Sequence, residues 1–129
     1  MDLSDVIPAE FDVLTVVFLM RGPEPRPEMS DEDLDRLQAE HLSHLHGLAQ
    51  RGIIVANGPL TDQSDESMRG ISVYSVGAQE ALALARTDPM VRAGRLQAQA
   101  ARWWTAAGKV AFPLHPTPVA QRLAREAMG

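Results

Sequence analysis

The pattern of apolar and polar positions along the chain predicts strands and helices in alternation. Residues 12–20 form a nearly continuous apolar run rich in β-branched side chains, which is typical of a strand covered on both faces. The next periodic segment predicts an amphipathic helix at about 31–51. The remaining segments predict strands at 53–57, 69–76 and 95–104, and a second helix at 78–86.

Both ends of the first helix are marked in the sequence. Ser30 precedes three acidic residues, a capping box that places negative charge at the positive end of the helix dipole. Gly52 supplies the stop at the other end. The loop before the helix, residues 22–29, carries three prolines, and this density of proline excludes both a helix and a central strand there.

The order of the predicted elements, β-α-β-β-α-β, is that of the ferredoxin-like split βαβ arrangement. It predicts an α+β fold with a four-stranded antiparallel sheet and both helices on one face. The other face of the sheet needs a cover, because apolar sheet faces are buried in stable folds. No third long helix precedes the tail, so we expect the sheet of a second copy to supply the cover in a homodimer.

The chain divides into a short leader over residues 1–11, one domain over residues 12–112 and a tail over residues 113–129. After a proline-rich start, the segment 119–128 predicts an extra C-terminal helix. Its apolar residues recur at i, i+4 and i+8, a stripe too narrow to hold a helix in water by itself. We therefore expect the tail to dock on the body of the protein or on a partner subunit.

Length and composition fit one domain, with 129 residues, 45% of them apolar and 22% charged. A formal net charge of −5 argues against non-specific binding to nucleic acid or anionic membranes, since both need a basic surface. The lack of cysteine excludes disulfide scaffolds, Cys-ligated zinc, iron–sulfur clusters and thiol nucleophiles. No secretory signal or membrane-spanning stretch is visible, so we expect a cytoplasmic protein.

One residue interrupts the apolar face of the first helix. At about 100° per residue, four leucines point within roughly 40° of one direction, and His41 lies at the centre of that stripe. His44 lies on the flank and His46 points well away. His41 is either a buried neutral histidine with a satisfied hydrogen bond or a general acid/base, because imidazole has the ordinary pKa nearest neutrality. The four leucines are Leu34, Leu37, Leu45 and Leu48.

A catalytic histidine on a helix needs a partner that fixes its tautomer. Asp88 is the most suggestive carboxylate, because it lies at a helix exit directly before Pro89, which holds its backbone extended. The alternative is turn chemistry, since aspartate before proline commonly initiates a turn.

Other site chemistries find little support in the sequence. His41 and His44 are one helical turn apart, but His46 diverges from them and no HExxH motif occurs, so we predict no metal site. The chain also has no GxSxG elbow and no GxxxxGK[ST] or GxGxxG phosphate loop. We therefore expect no cofactor.

Several segments combine in a specific way: the helix motif QAEHLSHLHGLAQRG, then ANGPLTD, RGISVY and ALARTDPMVRAG. With the apolar first strand, they make residues from about Phe11 to Phe112 resemble the YCII-related domain family. The resemblance implies a ferredoxin-like fold that pairs sheet to sheet as a dimeric α/β barrel. It also implies activities like those of some relatives, which are cofactor-free lyases, dehydrochlorinases or lactone isomerases. His41 and Asp88 match the histidine and aspartate of the family.

The resulting hypothesis is a cofactor-independent enzyme of lyase or isomerase type. Neutral His41 would abstract a proton from a small organic substrate, for example an aromatic-derived one, while Asp88 orients the ring. Two other functions stay open: a non-enzymatic module that binds a small ligand or assembles, and a cofactor-free oxygenase or cyclase.

Negative charge that develops on the substrate needs hydrogen-bond donors. The candidates are Arg69, Arg92 and the backbone amides near Gly58, although an arginine at such positions also forms surface ion pairs. Trp103 is a candidate for lining an aromatic-friendly pocket, with core packing as the alternative.

Overall fold

The strands form one antiparallel sheet in a computed structural model that describes residues 2–115, 119 and 121–128. The sheet order is β2-β3-β1-β4, and β5 pairs with β1. This order is compatible with the predicted ferredoxin-like arrangement, but the sheet has five strands and not the four that were predicted, because β5 adds to it. The strands are β1 (Glu10–Arg21), β2 (Ile54–Pro59), β3 (Met68–Tyr74), β4 (Leu96–Ala106) and β5 (Gln121–Ala124).

Three α-helices occur in the described part of the chain: α1 (Asp31–Gln50), α2 (Ala78–Ala85) and the four-residue α3 (Pro89–Arg92). The first two were predicted from the sequence within a residue or so at each end. The third was not, because a single turn is too short to show a period. Short 3₁₀ turns occupy Leu3–Asp5 and Arg125–Met128.

Helix α1 begins and ends where its sequence predicts. The Ser30 hydroxyl accepts a hydrogen bond from the backbone N–H of Asp33 at 3.1 Å, which satisfies one of the unpaired amides of the first turn. After the helix, Gly52 has a φ of 73°, a left-handed conformation that favours glycine. The buried side chains of the helix are Leu37, His41, Leu45 and Leu48.

The core lies between the helices and one face of the sheet. Side chains alternate along each strand, so Val17 and Leu19 of β1 face the helices, as do Leu96 and Ala98 of β4. They pack against buried residues of α1 and α2. The core also includes Leu45, Leu48, Ile54, Tyr74, Ala81 and Ala85.

The opposite face of the sheet is partly covered by the C-terminal segment. Phe112 and Val119 pack against a cluster formed by Leu14, Val55 and Val73. The rest of this face has no cover among the described residues, and we call it the open face. It carries the exposed β4 side chains Gln97, Gln99, Ala101 and Trp103.

The prediction of a C-terminal helix is wrong for the residues the structure describes. Residues 121–124 form β5, which pairs with residues 10–13 of β1 beyond the point where β3 ends. Pairing satisfies backbone groups of β1 that would otherwise lie at an open edge, and the weak helical stripe offers no comparable gain. The tail does dock on the body, as expected, but as a strand followed by one 3₁₀ turn.

None of the helices in the described part of the chain combines the length and the apolar character needed to cross a bilayer.

Candidate active site

A short hydrogen bond joins the two residues that the sequence singled out. His41 Nδ1 lies 2.6 Å from Asp88 Oδ2, slightly below the ordinary range of about 2.7–3.2 Å for N–H···O hydrogen bonds. The side chains are nearly buried, at 11% exposure for the imidazole and 1% for the carboxylate. A buried carboxylate requires such a partner, because isolation from water would otherwise be costly.

The local sequence explains how Asp88 reaches its place. Helix α2 ends at Ala85, and Asp88 is the N-cap of α3, with Pro89 at the first helical position. Its Oδ1 accepts a hydrogen bond from the backbone N–H of Met90 at 2.9 Å, which leaves Oδ2 for His41. The turn chemistry and the pairing with histidine are therefore both realised, one on each carboxylate oxygen.

The pairing also determines what the imidazole can do. An ionised carboxylate only accepts hydrogen bonds, so Nδ1 carries the proton and the neutral ring presents Nε2 as its basic atom. His41 lines a cavity, so a ligand bound there can reach this histidine. The arrangement is that of an oriented base.

Two further titratable groups lie near Asp88. Burial raises the pKa of Tyr74 to about 12, and the negative charge of Asp88 raises it as well. Burial lowers the pKa of His44, against the opposing effect of Asp88, and the neighbouring His41 lowers it further. His44 Nε2 is buried and finds no hydrogen-bond partner among the described residues. Among the described side chains, His41 is the one that is hydrogen-bonded to Asp88.

The cavity beside His41 has a volume of about 380 Å³ and lies between α1 and the sheet. This volume is at the small end of the range for small-molecule sites, about 300–1,000 Å³. Apolar walls come from α1, β1 and β3, and polar side chains converge from several elements. The apolar lining includes Leu19, Leu34, Leu42, Leu45, Ile71 and Leu96.

The structure brings together four of the six site residues that the sequence indicated. His41, Gly58 and Arg69 line the cavity, and Asp88 lies behind His41. Gly58 belongs to β2 rather than to a loop after it, so its backbone is engaged in the sheet opposite Ile71.

The other two residues lie elsewhere, and both expectations are corrected. Arg92 is exposed at the end of α3 and does not line the cavity, because the last residue of this single turn points outwards. Trp103 lies on the open face and is 37% exposed, since odd-numbered residues of β4 point away from the helices. Its neighbour Trp104 faces the helix side, where its ring meets that of Phe11 edge-on at 5.7 Å.

Several polar residues of the cavity were not predicted. Asn57 and Ser72 are paired on β2 and β3 and both line it. A signal was available for Ser72, because it lies two residues before Tyr74 and so shares the helix-facing side of β3 with that buried residue. Arg26, from the proline-rich loop, and Arg95, before β4, also line it, and no local pattern marks them.

No group of three or more histidine, aspartate or glutamate side chains is placed to hold a metal ion within the described ranges of the chain. The ionisable side chains that line the cavity in the described part of the chain are His41 and the arginines Arg26, Arg69 and Arg95.

Comparison with known proteins places the chain in a family. No curated protein matches it. The family model of the YCII-related domain matches residues 16–105, from the middle of β1 to the end of β4. Since the match covers well over half of the sequence and includes both His41 and Asp88, the chain belongs to the YCII-related domain family.

Proposed function

We propose that the protein is a cofactor-independent enzyme that transfers a proton to and from a small organic substrate, with His41 as the general base. The observation that carries the proposal is the 2.6 Å hydrogen bond from His41 to the buried Asp88, at the wall of a cavity of substrate size. His41 is thus both oriented by a buried carboxylate and reachable from the cavity.

The chemical step needs no co-reactant. His41 Nε2 takes a proton from a carbon or oxygen acid of the substrate, and the electron pair of the broken bond stays on the substrate. In an elimination, that pair forms a double bond and expels a leaving group from the neighbouring atom, and the imidazolium then gives its proton to the leaving group or to water. In an isomerisation, the imidazolium returns the proton to a different atom, which restores the neutral ring.

Asp88 supports this step without contacting the substrate. Its charge stabilises the imidazolium that forms, and its hydrogen bond keeps Nδ1 as the protonated nitrogen. General acid–base catalysis of this kind contributes about 10²–10⁴-fold to a rate. Cavity donors such as Arg69 and Asn57 stabilise the negative charge that develops on the substrate.

Proton abstraction from carbon can be tested before the natural substrate is known. In D₂O, a base that removes and returns a carbon-bound proton replaces it with deuterium, and NMR follows the loss of the signal. The probes are a panel of ketones and lactones with acidic C–H groups. We expect exchange with some members, reduced by about 10²–10⁴-fold in His41→Gln.

Asp88→Asn and His46→Gln complete the set of variants. The asparagine retains an oxygen that can cap α3 but loses the charge, so we expect a loss of at least about 100-fold without unfolding. His46 is exposed on α1, and its variant should behave like the parent. Exchange that survives in His41→Gln overturns the proposal. Binding of probes without exchange in the parent favours the alternative, a non-enzymatic ligand-binding module, and oxygen consumption with a phenol favours a cofactor-free oxygenase.

A further inference from the structure

Three arginines line the cavity that contains His41. Arg26 comes from the proline-rich loop, Arg69 from β3 and Arg95 from the residue before β4. They are separated in sequence, so only the fold brings them together. An arginine presents a planar fork of donors that matches a carboxylate or phosphate group.

This group of positive charges is poorly neutralised by the protein itself. Among the described residues, Arg69 and Arg95 form no ion pair, and Arg26 Nε lies 3.9 Å from Glu24 Oε1. That same carboxylate oxygen is already 2.8 Å from the guanidinium of Arg21. A single exposed glutamate therefore supplies the nearby negative charge for a cluster of four arginines, although the net charge of the chain is −5.

The neighbouring arginines are close enough to change the pKa of Arg26. Burial lowers the pKa of Arg26, and the charges of Arg21, Arg95 and Arg69 lower it further, while Glu24 opposes the shift. Like charges held together are destabilising unless an anion joins them. The side chain of Arg26 is only 24% exposed, so water screens this repulsion incompletely.

The loop that supplies Arg26 is fixed to the body of the protein. The backbone N–H of Gly22 donates to the carbonyl of Arg95 at 2.9 Å, and the guanidinium of Arg95 donates to the carbonyl of Pro27 at 3.0 Å. Arg95 therefore both lines the cavity and holds the loop. These contacts lie on either side of Arg26 in the sequence and fix the course of the loop that carries it.

The remainder of the cavity is apolar. Leucines from α1, β1 and β4 form much of its wall, together with Ile71. A ligand that matches this lining carries a negative group at one end and an apolar skeleton at the other. A highly charged ligand such as a nucleotide would leave its polar groups against leucine side chains, which is unfavourable.

We propose that the substrate is a small organic acid, whose carboxylate binds Arg26, Arg69 and Arg95 while its apolar skeleton lies against His41. The binding of the acid to the arginines is independent of the proposed function. The inference that this acid is the substrate rests on the proposed function, because it makes the acid the molecule from which His41 removes a proton. Anchoring by a forked pair of donors fixes the distance and the angle between the acidic C–H bond and the base.

The test uses matched acids and amides as probes. Benzoate, cinnamate and succinate are titrated into the full chain, against benzamide, cinnamamide and succinamide, with binding followed by two-dimensional ¹H–¹⁵N NMR. We expect at least one acid to bind at least about ten-fold more tightly than its amide, with shifts in residues that line the cavity. Raising the salt concentration should weaken that binding.

Single substitutions assign the binding to the arginines. Arg69→Gln and Arg26→Gln should each weaken the tightest acid by about ten-fold or more. Arg51→Gln removes one exposed positive charge outside the cavity and should leave the affinity unchanged. Phenyl phosphate is included as a further probe, because guanidinium groups also bind phosphate.

The outcomes separate this inference from the proposed function. Arginine-dependent binding of an acid, retained in His41→Gln, supports the inference whether or not proton exchange is observed. Equal affinity for acids and amides, or acid binding that Arg69→Gln and Arg26→Gln leave intact, overturns it even if His41 catalyses exchange in neutral probes. Phenyl phosphate binding that exceeds every carboxylate by ten-fold also overturns it, in favour of a phosphate ester.

Discussion

At the scale of single residues, Asp88 uses its two carboxylate oxygens for two different hydrogen bonds. Oδ1 caps α3 and Oδ2 holds the ring of His41. The cap fixes the direction of the carboxylate, so the geometry of the histidine depends on a backbone N–H two residues further along the chain. A substitution that removes the cap, such as Asp88→Ala, would therefore disturb the histidine through position as well as through charge.

Tyr74 reports on the charge of Asp88 by a simple spectroscopic measurement. It is the only tyrosine in the sequence, so absorbance at 295 nm follows this one phenol. Burial and Asp88 raise its pKa to about 12, from an ordinary value of 10.0. We expect ionisation to begin well above pH 10 in the folded protein, and at a lower pH in Asp88→Asn, because the neighbouring negative charge is gone.

The same shift makes the fold sensitive to alkali. Because the folded-state pKa is the higher one, stability from Tyr74 is complete below about pH 10 and is lost as the pH rises towards 12. Circular dichroism in parallel separates ionisation from unfolding, and Tyr74→Phe should lose less stability over this range than the parent. A phenol that ionises near pH 10 while the circular dichroism remains native contradicts the prediction.

At the scale of elements, the proline-rich loop depends on a glycine at its start. A Cβ added to Gly22 would lie 2.1 Å from the carbonyl oxygen of Gly94, a backbone atom that cannot swing aside. Gly22→Ala should therefore push the loop away from the segment before β4 and withdraw Arg26 from the cavity. We expect weaker binding of the organic acids and a loss of about 1–3 kcal/mol in unfolding free energy.

Gly47→Ala is the matched control for that substitution. Gly47 lies within α1 and a Cβ there meets nothing within 4 Å. Alanine should stabilise the helix by about 0.5–1 kcal/mol and leave the acid affinity unchanged. Calorimetry gives the stability and the NMR titration gives the affinity. If Gly22→Ala binds acids as the parent does, the loop does not set the position of Arg26.

The pairing of β5 with β1 depends on a buried carboxylate. Asp12 is 2% exposed, and it accepts hydrogen bonds from Arg122 Nε at 2.6 Å and from the backbone N–H of Gly108 at 2.8 Å. The bond to Arg122 lowers the pKa of Asp12, with Gly108 adding to this and burial opposing it. The contact links the C-terminal strand to the centre of the sheet.

Asp12→Asn should lower the unfolding free energy at pH 7 by about 1–3 kcal/mol, as measured by urea titration. A lowered folded-state pKa gives stability above the ordinary value of 3.8 that is lost as the pH falls below it. The difference between parent and variant should therefore shrink in acid. Arg36→Gln breaks an exposed ion pair of 2.7 Å and should cost at most about 1 kcal/mol. Equal losses from the two substitutions would contradict a special role for Asp12.

At the scale of the whole molecule, the features that could be predicted from the sequence are those that depend on residues close to one another along the chain. The period of α1, its caps and the position of His41 in its apolar stripe all lie within about twenty residues. The positions of Arg26 and Arg95 in the cavity were not predicted, because a hydrogen bond between residues 68 apart in the sequence brings their segments together. β5 was not predicted because it pairs with a stretch of β1 that β3 leaves unpaired. The sequence of the tail shows only a weak helical stripe, which does not indicate this pairing.

The open face of the sheet leads to a prediction about assembly that the structure of one chain does not test. Its side chains include Trp103, which is 37% exposed, and Ala101, which lies opposite the buried Val16. Of the described part of the C-terminal segment, Phe112 and Val119 pack against the cluster around Leu14. We propose that a second copy covers the rest, sheet against sheet, because exposed apolar surface on a soluble protein commonly marks an interface.

Ala101→Arg tests this pairing without touching the core, since Ala101 is exposed in the single chain. Sedimentation equilibrium should give the mass of two chains for the parent and a shift towards one chain for the variant, because the substitution puts a long charged side chain on the face that the pairing buries in each copy. His46→Arg adds the same charge on the outer side of α1 and should keep the parent mass. A parent that sediments as one chain at all concentrations refutes the pairing. If such a monomer also exchanges carbon-bound protons of the probes in D₂O, the cavity is active without a partner subunit.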